Sequence, residues 1–410
     1  MGVHHAQIQR VVRQHYGAVL ARLVRSFGDL HLAEDALQEA LTAAYLQWSD
    51  GAIPDSPRAW LLTTARHKAV DEVRKRVLRG EKHEQILREQ TDQAATTPED
   101  AFAIGDDMLR LMFTCCHPAL EPSAQVALTL NAVAGLRVEE IARAFLVPVP
   151  TMAQRLVRAK RKIVAAKIPY VVPERTELAP RTHGLLRVLY LIFNEGYSSS
   201  HGSDLIRAEL CEHAISLARE VTGLLPEDGN SIGLLALMLL QDSRRAARVD
   251  GAGDLILLEE QQRQLWDQAR IAEGSALTEA ALRLSPRAPY AIQAAIAAVH
   301  AAATRAEQTD WRQIVGLYDH LLQVEPSPVV ALNRAVAVAM AHGPKAGLSL
   351  IVEIEDELAG YHLLHATRGE LLRRAGQHAP AREAFERALA LCDNDVEKRL
   401  LKKKLATVSD

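Results

Sequence analysis

Residues 136–163 read LRVEEIARAFLVPVPTMAQRLVRAKRKI, in which two helical patterns are separated by a few residues. The apolar positions of the first pattern share one helical face: Val138, Ile141, Ala142 and Phe145. Those of the second pattern also share one face: Met152, Leu156, Ala159 and Ile163. Residues 146–149 lie between the patterns, and Pro150 suits the first turn of the second helix, because proline there removes no helical hydrogen bond. The stretch therefore predicts two short helices joined by a tight turn.

The outer face of the second helix is polar and basic. It presents Gln154, Arg158 and Arg161, flanked by Arg155, Lys160 and Lys162. A helix of this kind can place its first residues on base edges in the major groove while its arginines hold phosphates. We interpret residues 136–163 as a DNA-binding helix-turn-helix. A solvated basic face on an ordinary helical hairpin is the alternative.

Two further helices are predicted upstream, over residues 32–48 and from about Arg58 to Arg79, with the breaker cluster GAIPDSP at 51–57 between them. In the first of these helices the outer side carries Glu34, Asp35, Gln38 and Glu39. In the second, one side carries Trp60, Thr64, His67, Lys68, Asp71 and Arg74, and another carries Leu62, Ala65, Ala69 and Val73. A ring beside cations is what single-stranded DNA requires, because the ring stacks on bases and the cations follow the backbone. Trp60 would equally suit packing against the 32–48 helix, and this alternative stays open.

The order and spacing of these elements resemble the extracytoplasmic-function sigma factors over residues 8–165. The resemblance is carried by AEDALQEAL at 33–41, by SPRAWLLTTARHKAVDEVRKR at 56–76 and by the helix-turn-helix. It implies a region 2 module over residues 1–80, a linker over 81–100 and a region 4 module over 101–168. It also implies core RNA polymerase and promoter DNA as partners.

The same resemblance assigns roles to individual residues. Three would face the polymerase: Asp35, Gln38 and Glu39. Five would lie near the melted −10 element: Trp60, Arg66, Lys68, Asp71 and Arg74. Five would lie at the −35 element: Thr151, Gln154, Arg155, Arg158 and Arg161. One departure from the family is Leu146, which stands where a glycine is usual, so that a left-handed turn there would be strained.

Residues 169–410 continue as apolar helical segments punctuated by proline and glycine. Similar segments recur: LTEAALRLSP at 277–286, IVGLYDHLLQVEP at 314–326 and AREAFERALAL at 381–391. Gly369, Gly376 and Ala381 lie near the positions that a tetratricopeptide repeat uses. The segments at 189–202, 234–248 and 289–301 resemble the subgroup of these sigma factors that has a tetratricopeptide-like C-terminal extension. We predict an all-α protein whose second half is a helical-repeat regulatory domain, with an irregular helical bundle as the alternative.

Charge is distributed unevenly along the 410 residues, although the net charge is only −3. The net charge is +3 over residues 1–80, −6 over 81–129, +6 over 130–170 and −6 over 171–410. Two basic segments thus flank an acidic one, and basic segments can meet phosphate. The chain has no long uncharged apolar segment and no hydrophobic signal core, which predicts a cytoplasmic protein without membrane insertion.

Several classes of site are not expected. The four cysteines have no zinc spacing, and the adjacent Cys115 and Cys116 suit the buried face of a helix. His300, His362 and His365 have no partner at metal spacing, so no metal and no cofactor is predicted. The polar segment NEGYSSSHGSD at 194–204 lies outside any GxSxG, phosphate-loop or HExxH pattern, which favours a loop over a catalytic site.

The predicted function is therefore binding and not catalysis. As a sigma factor, the protein would direct core RNA polymerase to promoters through its −35 and −10 contacts, and the C-terminal domain would regulate it in cis. A protein or small molecule that binds that domain is the remaining predicted partner. The alternative is a ligand-responsive helix-turn-helix regulator that never joins the polymerase.

Overall fold

Helices make up almost all regular structure in the computed structural model, which describes residues 2–50, 53–78, 100–145, 147–197, 208–251 and 253–408. Within these ranges the only β-pairing is an isolated bridge between Val249 and Leu255. The all-α prediction is confirmed. Most of the predicted linker 81–100, the turn residue Leu146 and residues 198–207 lie outside the described residues. The loop predicted over residues 194–204 is helical over its first four residues, which form the last turn of the helix Arg175–Tyr197. None of the described helices is long and apolar enough to cross a membrane.

The chain divides into two compact units, residues 1–191 and residues 192–410. The first unit contains α1 (Gly2–Phe27), α2 (Leu30–Asp50), α3 (Pro57–Leu78), α4 (Asp100–Cys115), α5 (Pro122–Ala132), α6 (Val138–Ala144) and α7 (Val149–Ala165). It also contains most of α8 (Arg175–Tyr197). Gly28 ends α1 with a φ of +67°, and the carboxylate of Asp29 accepts hydrogen bonds from the first amides of α2.

The first unit joins the two predicted sigma modules, because α1 packs against α2 and α3 on one side and against α4 and α5 on another. Asp107 of α4 is fully buried and accepts hydrogen bonds from Arg22 at 3.2 Å and Arg25 at 3.0 Å, both on α1. A side chain at Gly17 of α1 would overlap the carbonyl group of Val133, just after α5. The packing of α1 on the second module therefore depends on a buried carboxylate and a close backbone approach.

The first unit continues past residue 168, where the sequence placed the end of region 4. The hydroxyl of Tyr170 lies 2.8 Å from the carbonyl oxygens of Ala21 and of Asp107. Arg181 of α8 donates a hydrogen bond of 2.8 Å to the carbonyl of Phe113. Residues 169–191 are thus fastened to the helices of the first unit.

The second unit begins within α8 and continues through helices that pack mainly on their neighbours in sequence. They are α9 (Ala208–Leu224), α10 (Gly229–Asp242), α11 (Gln268–Leu284), α12 (Pro289–Ala302), α13 (Trp311–Val324), α14 (Pro328–His342), α15 (Pro344–Val352), α16 (His362–Arg374), α17 (His378–Leu391) and α18 (Asp395–Ala406). Separate apolar clusters follow one another along these helices, as in repeat domains.

The helix pair α16–α17 shows the repeat geometry most clearly. A Cβ atom at Gly369 would lie 2.7 Å from the ring of the fully buried Phe385, so only glycine permits this approach. Gly376 turns the chain between the helices with a φ of +75°. The predicted tetratricopeptide-like pair is confirmed here. Between α10 and α11, the described residues 243–251 and 253–267 contain two short 3-10 helices and an isolated β-bridge, which depart from a simple two-helix repeat.

Candidate nucleic-acid interface

Helices α6 and α7 form the predicted helix-turn-helix. The inner face of α7 is buried as expected: Met152, Leu156, Ala159 and Ile163. On α6, Ile141 and Ala142 are buried. The amide of Val147 bonds to the carbonyl of Ala142 at 3.0 Å, which closes the turn, and α7 begins at Val149, one residue earlier than Pro150. Apolar contacts thus hold the two helices together and leave the opposite face of α7 outward.

The outer face of α7 is accessible and positively charged. Thr151, Gln154, Arg158 and Arg161 are exposed, and Arg155 is half-buried. Among the residues that the structure describes, no carboxylate lies within ion-pair distance of Arg155, Arg158 or Arg161. The positive charge of these arginines is therefore available to an external polyanion.

Lys160 departs from this pattern and from the sequence interpretation, which placed it at the flank of the outer face. Its ammonium group lies 2.6 Å from the carboxylate of Glu34 on α2, and the two side chains keep only 14% and 11% of their surface exposed. Glu34, which the sequence placed on the outer side of α2, is likewise turned inward. The reason is tertiary: α7 comes close enough to α2 for these two side chains to form an ion pair between the modules.

A second ion pair joins the modules at α6. The guanidinium of Arg13 on α1 lies 2.5 Å from Glu140, which also accepts a hydrogen bond from the amide of Arg137. Burial alone would raise the pKa of Glu140, but the amide of Arg137 and the charge of Arg13 lower it overall. Glu140 therefore stays ionised and links α6 to α1.

Trp60 of α3 is partly buried against the neighbouring helix and partly exposed to solvent. Its ring meets the buried ring of Trp48 edge-on, with centroids 5.3 Å apart, so the predicted packing against the preceding helix occurs. Trp60 nevertheless remains half-exposed. The inner face of α3 differs by one residue from the expected one, since Leu61 is fully buried and Leu62 is only half-buried. Either leucine satisfies the periodicity, and packing against the neighbouring helices selects Leu61.

The basic residues of α3 have acidic neighbours. Lys68 lies 3.3 Å from Glu39 of α2, and Arg74 lies 3.7 Å from Asp71 one turn earlier. Arg66 is half-buried. The structure thus brings together Lys68, predicted for the −10 element, and Glu39, predicted for the polymerase. Asp35, Gln38 and Glu39 are all exposed on α2.

Comparison with known proteins identifies these modules. Sigma-70 region 2 matches residues 11–79, sigma-70 region 4 matches residues 110–163, and a family of unknown function, DUF6596, matches residues 181–282. The probable ECF RNA polymerase sigma factor SigI of Mycobacterium tuberculosis is 28% identical over 167 residues, which are 40% of this chain and 57% of SigI. The ECF RNA polymerase sigma factor SigK of Mycobacterium ulcerans is 29% identical over 147 residues, 36% of this chain and 75% of SigK. The two sigma-70 regions and these relatives support an extracytoplasmic-function sigma factor with a C-terminal extension.

The C-terminal extension of the sigma factor also occurs in a relative of similar length. The uncharacterized protein R00370 of Rhizobium meliloti is 42% identical over 389 residues, which are 94% of this chain and 92% of that protein. Among solved structures, yeast Tom70 aligns with 96% of this chain and 82% of its own, at 12% identity. The TM-score of 0.39 is too low to show a shared fold.

Two ion pairs between the modules could not be predicted from periodicity, because their partners are far apart in sequence. Glu34 and Lys160 are 126 residues apart in sequence, and Arg13 and Glu140 are 127 apart.

The buried thiols of Cys115 and Cys116 match the predicted structural role, and burial raises the pKa of Cys116 to about 12, so the thiol stays protonated.

Proposed function

We propose that this sigma factor directs core RNA polymerase to specific promoters by reading a −35 element with the outer face of α7. The observation that carries the proposal is the row of exposed α7 residues whose arginines have no carboxylate beside them among the described residues. Arg158 would read a base edge or hold a phosphate, and Thr151 and Gln154 lie near the start of the helix, where base contacts are made.

At the −10 element, α3 would capture unpaired bases beside Trp60. The half-exposed ring offers a stacking surface, and Trp48 supports it from behind. Arg66, Lys68, Asp71 and Arg74 lie along the same helix, where the cations would follow the backbone of the melted strand. On α2, the exposed Asp35, Gln38 and Glu39 would contact the polymerase.

Binding of both elements requires the two modules to separate. Promoter positions −35 and −10 are about 25 base pairs apart, which corresponds to roughly 85 Å of duplex at about 3.4 Å per base pair. Helix α1, which contacts both modules in the packed unit, is only about 39 Å long at about 1.5 Å per residue. We infer that the packed unit is the free form, and that the Lys160–Glu34 and Arg13–Glu140 pairs open when polymerase and promoter bind.

The C-terminal unit would regulate the sigma modules in cis. A fused domain acts at roughly millimolar effective concentration when its connection is short and flexible, so even a weak contact would be largely occupied. A net charge of −6 spread over residues 171–410 is too dilute for a DNA mimic. We therefore favour a domain that stabilises the opened, polymerase-competent arrangement of the modules over one that masks them.

Two experiments test these assignments. Holoenzyme selecting from a randomised promoter library should enrich sequences that share two elements at fixed spacing, and a selection without a common motif would contradict the proposal. Truncation after Leu191, which keeps Tyr170 and Arg181 in the first unit, should reduce promoter activity if the extension supports the sigma modules. Constitutive activation would favour masking instead, and unchanged activity would exclude regulation in cis.

A further inference from the structure

Three side chains with metal-binding atoms meet near the C-terminal end of the second unit. His362 is the first residue of α16, Cys392 directly follows α17, and Glu397 lies in the first turn of α18. The Nε2 atom of His362 lies 2.9 Å from Oε2 of Glu397, and Sγ of Cys392 lies 3.7 Å from the same oxygen. All three donor atoms lie within 4.8 Å of one another.

The ends of three helices position these donors. Asn394 caps α18 by accepting hydrogen bonds from the amides of Val396 at 2.9 Å and Glu397 at 3.1 Å. This cap sets the direction in which α18 leaves the turn after Cys392. The thiol of Cys392 is almost fully buried, while the side chains of His362 and Glu397 keep 22% and 21% of their surface exposed. The cluster is thus built into the fold and still reachable from solvent.

One of the three separations already matches a tetrahedral metal site. Zinc–ligand bonds of about 2.0–2.3 Å at tetrahedral angles place ligand atoms roughly 3.3–3.8 Å apart. The sulfur–oxygen distance of 3.7 Å already lies in this range. The nitrogen–oxygen distance of 2.9 Å is a hydrogen bond, which a metal ion would replace and lengthen.

We propose that His362, Cys392 and Glu397 bind a thiophilic divalent metal ion, with zinc as the expected ion and water in the fourth position. Imidazole, thiolate and carboxylate are the donors that zinc accepts, whereas magnesium and calcium require oxygen ligands. The ion would join α16, the end of α17 and α18, and so hold the last helix of the second unit in place.

The Cys392 sulfur would bind the ion as the thiolate, because the thiolate is the form of cysteine that acts as a metal ligand. The site could not be predicted from the sequence, because His362 and Cys392 are 30 residues apart, Cys392 and Glu397 are 5 residues apart, and neither spacing is typical of a zinc site.

Cobalt(II) added to the tag-free, metal-stripped full-length protein tests the proposal. We expect one Co²⁺ per chain, a thiolate-to-cobalt charge-transfer band in the near ultraviolet, and loss of that band when Zn²⁺ is added. Cys392→Ala should abolish the band, and Cys211→Ala, a change at another buried cysteine, should preserve it. His362→Ala should weaken binding, while His365→Ala, one turn along α16, should not.

A second variant separates ligand loss from misfolding. Glu397→Gln keeps a hydrogen-bonding group in place but removes the carboxylate. Its affinity for Co²⁺ should fall at least about tenfold, the smallest loss expected even for an outer-shell partner, with an unchanged circular dichroism spectrum. The proposal is overturned if no charge-transfer band forms, if the band persists in Cys392→Ala, or if Glu397→Gln binds cobalt as tightly as the natural protein.

Discussion

Helices α3 and α7 both carry basic residues toward solvent, but only on α3 do such exposed cations lie beside carboxylates. On α3, Lys68 and Arg74 lie beside Glu39 and Asp71. On α7, the described structure places no carboxylate within ion-pair distance of the outer arginines. Helix α7 can therefore meet duplex phosphates without breaking an internal pair. The cations of α3 must exchange their carboxylate partners for DNA phosphates. The free-energy cost of this exchange is small, because exposed ion pairs contribute only about 0–1 kcal/mol.

The largest effect is expected at Lys160, the α7 cation that is paired inward. Lys160→Ala leaves Glu34 buried without its partner, which costs about 3–5 kcal/mol for a buried pair, and the small remaining exposure favours the lower end. We expect the packed form of residues 1–191 to open, measured as a larger distance between fluorophores on α3 and α7. Lys162→Ala, an exposed change on the same helix, is the control. Equal distances in the two variants would show that the pair does not hold the modules together.

Removal of the Arg158 side chain tests the outer face of α7. Arg158→Ala should weaken binding to the −35 duplex by about 1–3 kcal/mol if the arginine reads a base. It should also weaken the preference for one particular base at one position of the −35 element. Lys162→Ala should instead lower the affinity for all DNA sequences about equally. It should also make the dependence of log K on log salt concentration shallower, by about the amount expected for one lost phosphate contact. Footprinting by the holoenzyme over a salt series measures both. Normal affinity and preference in Arg158→Ala would refute the assignment.

Trp60→Ala tests whether α3 acts on unpaired bases. Loss of a stacking surface should impair promoter opening by about 1–3 kcal/mol, while −35 binding stays normal. Permanganate reactivity of −10 thymines measures opening. Because Trp60 also contacts Trp48, Trp60→Phe is the matched variant: it keeps a ring at this position and should open promoters better than the alanine variant. Equal opening by all three proteins would exclude a stacking role.

Periodicity predicted the helix-turn-helix because its buried face lies within one short segment, where spacing alone distinguishes inside from outside. It also predicted the α16–α17 pair from Gly369 and Ala381. Periodicity failed where contacts between residues distant in sequence determine the direction of a side chain. Lys160 turns inward only because Glu34 on α2 lies beside it. His362 gains two donor neighbours only because three helix ends converge. Adjacent Leu61 and Leu62 fit the pattern equally, and tertiary packing determines which is buried.

The smallest effect is expected from Glu39→Gln, which removes the partner of Lys68. Both side chains are substantially exposed, so folding stability should change by less than about 1 kcal/mol. The released Lys68 should bind single-stranded −10 DNA slightly more tightly, measured by fluorescence anisotropy at low salt. If Glu39 also contacts the polymerase, the same variant should bind core enzyme more weakly. Unchanged binding to both partners would remove Glu39 from the interface.

Transcription in vitro by purified core RNA polymerase and this protein, on the genomic DNA of its own organism, tests whether the protein initiates transcription at specific promoters. We predict initiation at a small set of discrete start sites that share a −35 and a −10 element. Arg158→Ala should reduce occupancy of these sites, and Trp60→Ala should bind them but open them less. Binding to the core enzyme with no initiation at any site would show that the protein does not act as a sigma factor.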